Sequence, residues 1–178
     1  MKSIYRAAIY SFTSALCAAL ISVFLTYTFT RYHFYQSVQY KQGLEFFTNY
    51  HFHLLSSLQD IEFASFLIAD PNSEISLDAR AENLSSALEN FDKSLSDYIS
   101  NGGVILLINI DEDLAMTILG LGSRTDLWIQ TEPYNPTSDN FRFSVSMLYD
   151  LRERLKNVSV KDYINSYRMI AKGKQPDF

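Results

Sequence analysis

Apolar residues fall along this chain in several distinct patterns. From Ala7 to Thr30 they run without a charge for 24 residues. At 1.5 Å per residue that length crosses a ~30 Å hydrocarbon core, and it predicts a transmembrane helix. Lys2 and Arg6 flank one end and Arg31 the other, with Tyr10, Tyr27 and Tyr32 where interfacial aromatics are expected. From Arg31 to Ala69 the pattern changes to a stripe of Phe47, Tyr50, Leu54, Leu58, Ile61 and Ile68 at three-to-four spacing. The spacing predicts a helix that continues directly from the membrane segment and ends at Asp70-Pro71-Asn72.

A third segment repeats in heptads: Leu77, Ala81, Leu84, Leu88, Phe91, Leu95 and Tyr98. Ser76 stands as N-cap and Asn101-Gly102-Gly103 as the stop. Val104 to Ile110 is a short apolar run that periodicity cannot divide between a buried strand and a buried helix. No partner strand is evident, so a helix is expected, with Asp111-Glu112-Asp113 inside it or at a break and Leu114 to Leu121 continuing it. Ser123 to Asn140, with Pro133 and Pro136, reads as a loop. Phe141, Val145, Leu148, Leu151 and Leu155 mark the next helix. Ser159 to Asp162 resembles a capping box before a last short helix, and Lys172 to Phe178 reads as a tail. The fold expected is all-α: an N-terminal transmembrane helix over 7–30 continues into a four- to five-helix bundle over 31–171.

A cleaved signal peptide is the competing reading of the first segment, but its apolar core would be shorter. Cys17 is the only cysteine, which excludes an intrachain disulfide framework and a cysteine metal site. The segment is rich in small residues. Ala7, Ser11, Ala15 and Ala19 form one small-xxx-small ladder, and Ser14, Ala18 and Ser22 form a second beside it. Such ladders let helix backbones approach closely in lipid and point to a homo-oligomer; a ring of them could enclose a Ser/Thr-lined path.

Charge is uneven although the net value is −5. His51 to Ser123 holds twelve acids against two bases, and Arg142 to Phe178 holds eight bases against four acids. Two readings follow: faces that attract each other within the fold, or a basic C-terminal surface that meets phosphate in lipid headgroups or RNA. Lys2, Arg6 and the amino terminus favour an N-inside orientation, and Arg31 and Lys41 weaken it.

Chemistry is sparse. His51 and His53 lie ~200° apart on a helix and cannot share a metal there, so both read as polar-face or interface residues. Asp111, Glu112 and Asp113 read as a helix start that favours the dipole. The chain has no P-loop, GxGxxG, GxSxG or HExxH, and no cofactor is expected.

The local feature that stands out is Arg152-Glu-Arg-Leu-Lys-Asn157. It resembles a degenerate form of the Arg-x4–6-His motif of HEPN domains, small helical bundles whose active members cut RNA without metal. That chemistry needs a cation for the phosphorane charge and an imidazole for the proton. Arg152 stands in the first place, but Asn157 replaces the histidine and has no usable pKa, so no RNase activity is expected. With its membrane helix and helical body, the chain resembles the small membrane accessory proteins of type VI-B CRISPR systems. The resemblance implies a protein of the bacterial inner membrane with a cytoplasmic body. It also implies a homo-oligomer that enhances RNA-guided antiphage defence, with the guided nuclease as functional partner, by permeabilising or depolarising the membrane. The alternative is an envelope-side helical-bundle sensor or adaptor of a membrane complex.

Overall fold

The computed structural model describes the backbone of residues 2–70, 72–122 and 139–173, and within them the side chains of 20–70, 72–122 and 145–173. All regular structure among them is helical: α1 (Lys2–Phe46), a π-helical turn (Phe47–His51), α2 (Phe52–Ala69), α3 (Leu77–Ser100), α4 (Gly103–Ile108), α5 (Glu112–Gly122), α6 (Asp139–Lys156) and α7 (Val160–Ala171). The expected loop through Pro133 and Pro136, Pro71, and the tail beyond Gly173 lie outside the described residues. Among the described residues, no helix is long and apolar enough to cross a membrane. Of the segment expected to do so, the side chains of residues 7–19 are not among those described. The chain divides between Tyr40 and Lys41 into two units.

In the first unit α1 is helical from Lys2 onward, and its side chains from Leu20 to Phe34 are all exposed. The Thr28 hydroxyl donates to the Phe24 carbonyl at 2.8 Å, a local bond that hides its polarity. The Arg31 guanidinium lies 5.5 Å from the Tyr35 ring centroid.

The second unit is a helical bundle with one apolar core. α2 packs on α3 and α6, α4 packs on α5 and α7, and α5 reaches α3 and α6. Leu54, Leu58, Ile61, Leu84, Leu95, Tyr98, Leu107, Leu114, Ile118, Leu151, Leu155 and Tyr163 are almost completely buried. The helix ends follow their local chemistry. Ser76 accepts from the Ala79 N–H to start α3, and Gly102 ends it at φ +85°, a left-handed position that costs glycine little. The Asp111 carboxylate accepts from the Leu114 N–H at 2.9 Å and opens α5, so the acidic triplet stands at a helix start. At the start of α7 the Asp162 carboxylate accepts from the Ser159 N–H and hydroxyl. The Arg80 guanidinium donates to the Leu67 and Asp70 carbonyls, capping the open end of α2 from α3.

Two glycines set close approaches. A Cβ at Gly43 would lie 2.9 Å from the Ile164 backbone nitrogen, so α7 crosses the end of α1 where only a glycine fits. A Cβ at Gly103 would overlap the Tyr98 ring. Gly103→Ala is therefore expected to destabilise the bundle by about 1–2 kcal/mol through overpacking, read as a lower denaturant midpoint. An unchanged midpoint would mean that Tyr98 can move aside.

Candidate functional site

The polar centre of the bundle begins at the π-helical turn. There the Phe52 N–H bonds to the Phe47 carbonyl five residues back, so the turn holds one residue more than an α-turn. The extra residue rotates what lies around it off a uniform 3.6-residue stripe. Phe47 and Tyr50, expected on the buried stripe, are only half-buried. His51, expected on a polar or interface face, is 0% exposed, a correction with a plain cause: it stands three and seven residues before the buried Leu54 and Leu58, at helical spacing, and so falls beside the core face; His53 is exposed.

Inside the core the His51 Nδ1 lies 2.8 Å from the Tyr163 hydroxyl, and that hydroxyl lies 2.7 Å from the Tyr98 hydroxyl. One proton arrangement gives every group in this chain a direction: Tyr98 donates to Tyr163, and Tyr163 donates to Nδ1. The histidine proton then sits on Nε2. Nε2 has no hydrogen bond of normal geometry among the described residues, and the Leu155 carbonyl is the backbone group that favours its proton. Phe47 stacks on the imidazole with centroids 4.7 Å apart, and Phe46 packs at 5.3 Å from Tyr98 and 5.1 Å from Tyr163. Burial pushes the His51 pKa down to about 4 and raises both tyrosines. The chain is dry and shielded, with neutral imidazole its ground state. A second polar node lies nearby: the buried Ser166 hydroxyl donates to the Leu106 carbonyl at 2.8 Å and accepts from the Asn109 amide at 3.1 Å. It closes the open end of α4 onto α7.

The residues picked out by the HEPN-like motif lie elsewhere, on the last turns of α6. The Arg152 guanidinium pairs with Glu62 of α2 and with its neighbour Glu153, and lies 5.5 Å from the Tyr149 ring. Its side chain is only 20% exposed, so it is engaged rather than free in solvent. Asn157 donates to the Glu153 carbonyl at 2.9 Å and closes the helix end. Arg154 grips both carboxylate oxygens of Asp111 at 2.7 and 2.9 Å. The Leu114 N–H and Arg154 together hold the Asp111 pKa low, and Arg152 does the same for Glu153. The basic end of the chain thus meets the acidic middle within the fold. Among the described residues no group of three or more His, Cys, Asp or Glu is placed to hold a metal ion.

Of the two ladders, Ser22 is exposed on α1, and Ala7, Ser11, Ala15, Ala19, Ser14 and Ala18 lie outside the described side chains. Sequence reasoning missed the His51–Tyr163–Tyr98 chain entirely. Tyr98 was visible as the last heptad position, but nothing local connects it to residues 47 and 65 positions away. No protein-family model matches this sequence, and no curated protein or solved structure matches it either.

Proposed function

We propose that this chain is a membrane-anchored, non-enzymatic helical bundle that works as a homo-oligomer. In the role its resemblance implies, it serves beside an RNA-guided nuclease in antiphage defence by permeabilising or depolarising the bacterial inner membrane. The observation that carries the anchor is the surface of α1. Leu20, Ile21, Val23, Phe24, Leu25, Tyr27 and Phe29 are each between 59% and 67% exposed. At ~100° per residue they spread over about 240° of arc rather than one face, with Ser22, Thr26 and Thr30 in the remaining sector. A one-sided groove cannot cover such a surface, and lipid can. The uncharged sequence of residues 7–19 supplies the rest of the length, and Tyr27, Arg31 and Tyr32 suit the interface.

Two further observations support a non-enzymatic role. Arg152 is held by Glu62, and Asn157 by a helix carbonyl, so both motif residues have structural work. The His51 imidazole is sealed in the core, out of reach of a substrate.

A reporter active on one side of the membrane, fused after Phe178, tests the placement. A cytosolic signal is expected, and an external one overturns the defence role. Ala15→Leu is expected to break the larger assembly by steric overlap of the ladders; an unchanged size on native gels would overturn that part. A fall in membrane potential when the protein is expressed with its guided nuclease is the functional readout, and a steady potential would argue against the proposed action.

A further inference from the structure

The outward face of α2 carries a stripe that the bundle leaves uncovered. Phe52, Ser56, Gln59, Phe63 and Phe66 fall within about 80° of arc at ~100° per residue. They lie directly opposite the buried face of Leu54, Leu58, Ile61, Ala64 and Ile68. The three phenylalanines are 57%, 64% and 68% exposed, on a body helix whose other side is fully packed. Solvent exposure of three large aromatics on one stripe marks a contact surface, since aromatic residues and arginine dominate such surfaces.

The spacing says what covers it. Phe52, Gln59 and Phe66 are seven residues apart, the repeat of one seam position in a parallel pair of helices, with a lone amide in the middle layer. A glutamine there meets its own copy well, because its amide both donates and accepts. The flanks fix the direction. On one side of the stripe stands Asp60, exposed and without an ion-pair partner among the described residues. On the other side stands Glu62 in an ion-pair group with Arg152, Glu153 and Lys156, beside Tyr149. In a two-fold pair of parallel helices opposite flanks meet, so Asp60 of each copy faces Arg152 of the other. In an antiparallel pair centred on Gln59 like flanks meet, which sets Asp60 against Asp60.

We propose that α2 is a homotypic interface: two copies of this chain pair in parallel along Phe52, Gln59, Phe63 and Phe66, with Asp60–Arg152 contacts on both sides. The pairing rests on the homo-oligomer part of the proposed function and not on its antiphage role.

Full-length chain with Cys17→Ser and single cysteines at Phe52→Cys, Gln59→Cys or Phe66→Cys, oxidised in membranes, tests it. Disulfide-linked dimer is expected at all three positions and not at Ser96→Cys on the exposed side of α3. Linkage at position 59 alone would mean antiparallel pairing and overturn the proposal. Linkage at none of the three would leave the stripe to a foreign protein or the bilayer surface and overturn it as well. Adding Phe63→Glu to the Gln59→Cys chain is expected to cut the linked fraction about tenfold with helix content unchanged, and no change would refute the seam. Ala15→Leu is expected to leave the position-59 dimer in place, so the α2 seam and the membrane ladder fail separately. Its loss would assign pairing to the membrane segment and overturn the α2 interface.

Discussion

Replacing Tyr163 by phenylalanine is expected to lower the unfolding free energy of the bundle by about 2–4 kcal/mol, although only one oxygen is removed. The hydroxyl bridges two other buried groups, the His51 Nδ1 at 2.8 Å and the Tyr98 hydroxyl at 2.7 Å. His51, Tyr98 and Tyr163 are all 0% exposed, so water cannot replace the lost partner. A buried polar group left unpaired costs ~1–3 kcal/mol, and here two are left at once. Tyr163→Ala should cost more, because it also empties the space between Phe46, Phe47 and His51; truncating a buried aromatic adds a cavity penalty and brings the total to about 3–5 kcal/mol or above. Denaturant titration of the full chain in detergent, followed by far-UV circular dichroism, measures both. The comparison that isolates the chain is a double-mutant cycle with Tyr98→Phe. If the chain acts as a unit, the second change costs far less in the Tyr163→Phe background than alone. Additive losses would mean that the hydroxyls are satisfied independently.

That cycle touches the part of the molecule least visible in its sequence. The α3 helix was legible almost in full. The heptad from Leu84 to Tyr98 is the face that packs, Ser76 caps it and Gly102 ends it, because each of these is a local choice made by neighbouring residues. Leu77, the first position of the same heptad, is 58% exposed, since the first turn of α3 extends past its packing partners. The short apolar run after Gly103 was ambiguous on periodicity, and it is helical because no strand exists to pair with it among the described residues. The π-helical turn had no such signal. Phe47 to His51 contains no glycine or proline, and a single shifted hydrogen bond leaves no mark in composition. The meeting of Arg154 with Asp111 and of Arg152 with Glu62 was legible only as a block of bases and a block of acids; the pairs themselves are 43 and 90 positions apart. A motif read along the chain, Arg152 to Asn157, dissolved into an ion pair and a helix cap once its neighbours in space were known.

Acid is expected to destabilise the bundle through His51 well above the range in which carboxylates titrate. In the unfolded chain the imidazole takes up a proton near pH 6.5, whereas in the folded core burial holds its pKa at about 4. Between those values the unfolded state binds more protons than the native state, so unfolding free energy rises with pH across the window. The contribution is complete above pH 6.5 and is lost progressively as pH falls towards about 4. A gap of that size corresponds to roughly 3 kcal/mol. Asp111 and Glu153 have depressed pKa values, so the stability they add is lost at lower pH, as they are protonated. The two effects therefore separate along the pH axis. His51→Gln distinguishes them directly: its amide oxygen can still accept from Tyr163, but the side chain does not titrate. The pH dependence between 6.5 and 4 should flatten in this variant while the steeper loss below it remains. An unchanged slope in His51→Gln would mean that the imidazole is charged in the native core and that another group supplies the acid sensitivity. A flattened slope would establish that the π-helical turn holds a neutral histidine whose protonation and the unfolding of the bundle are one event.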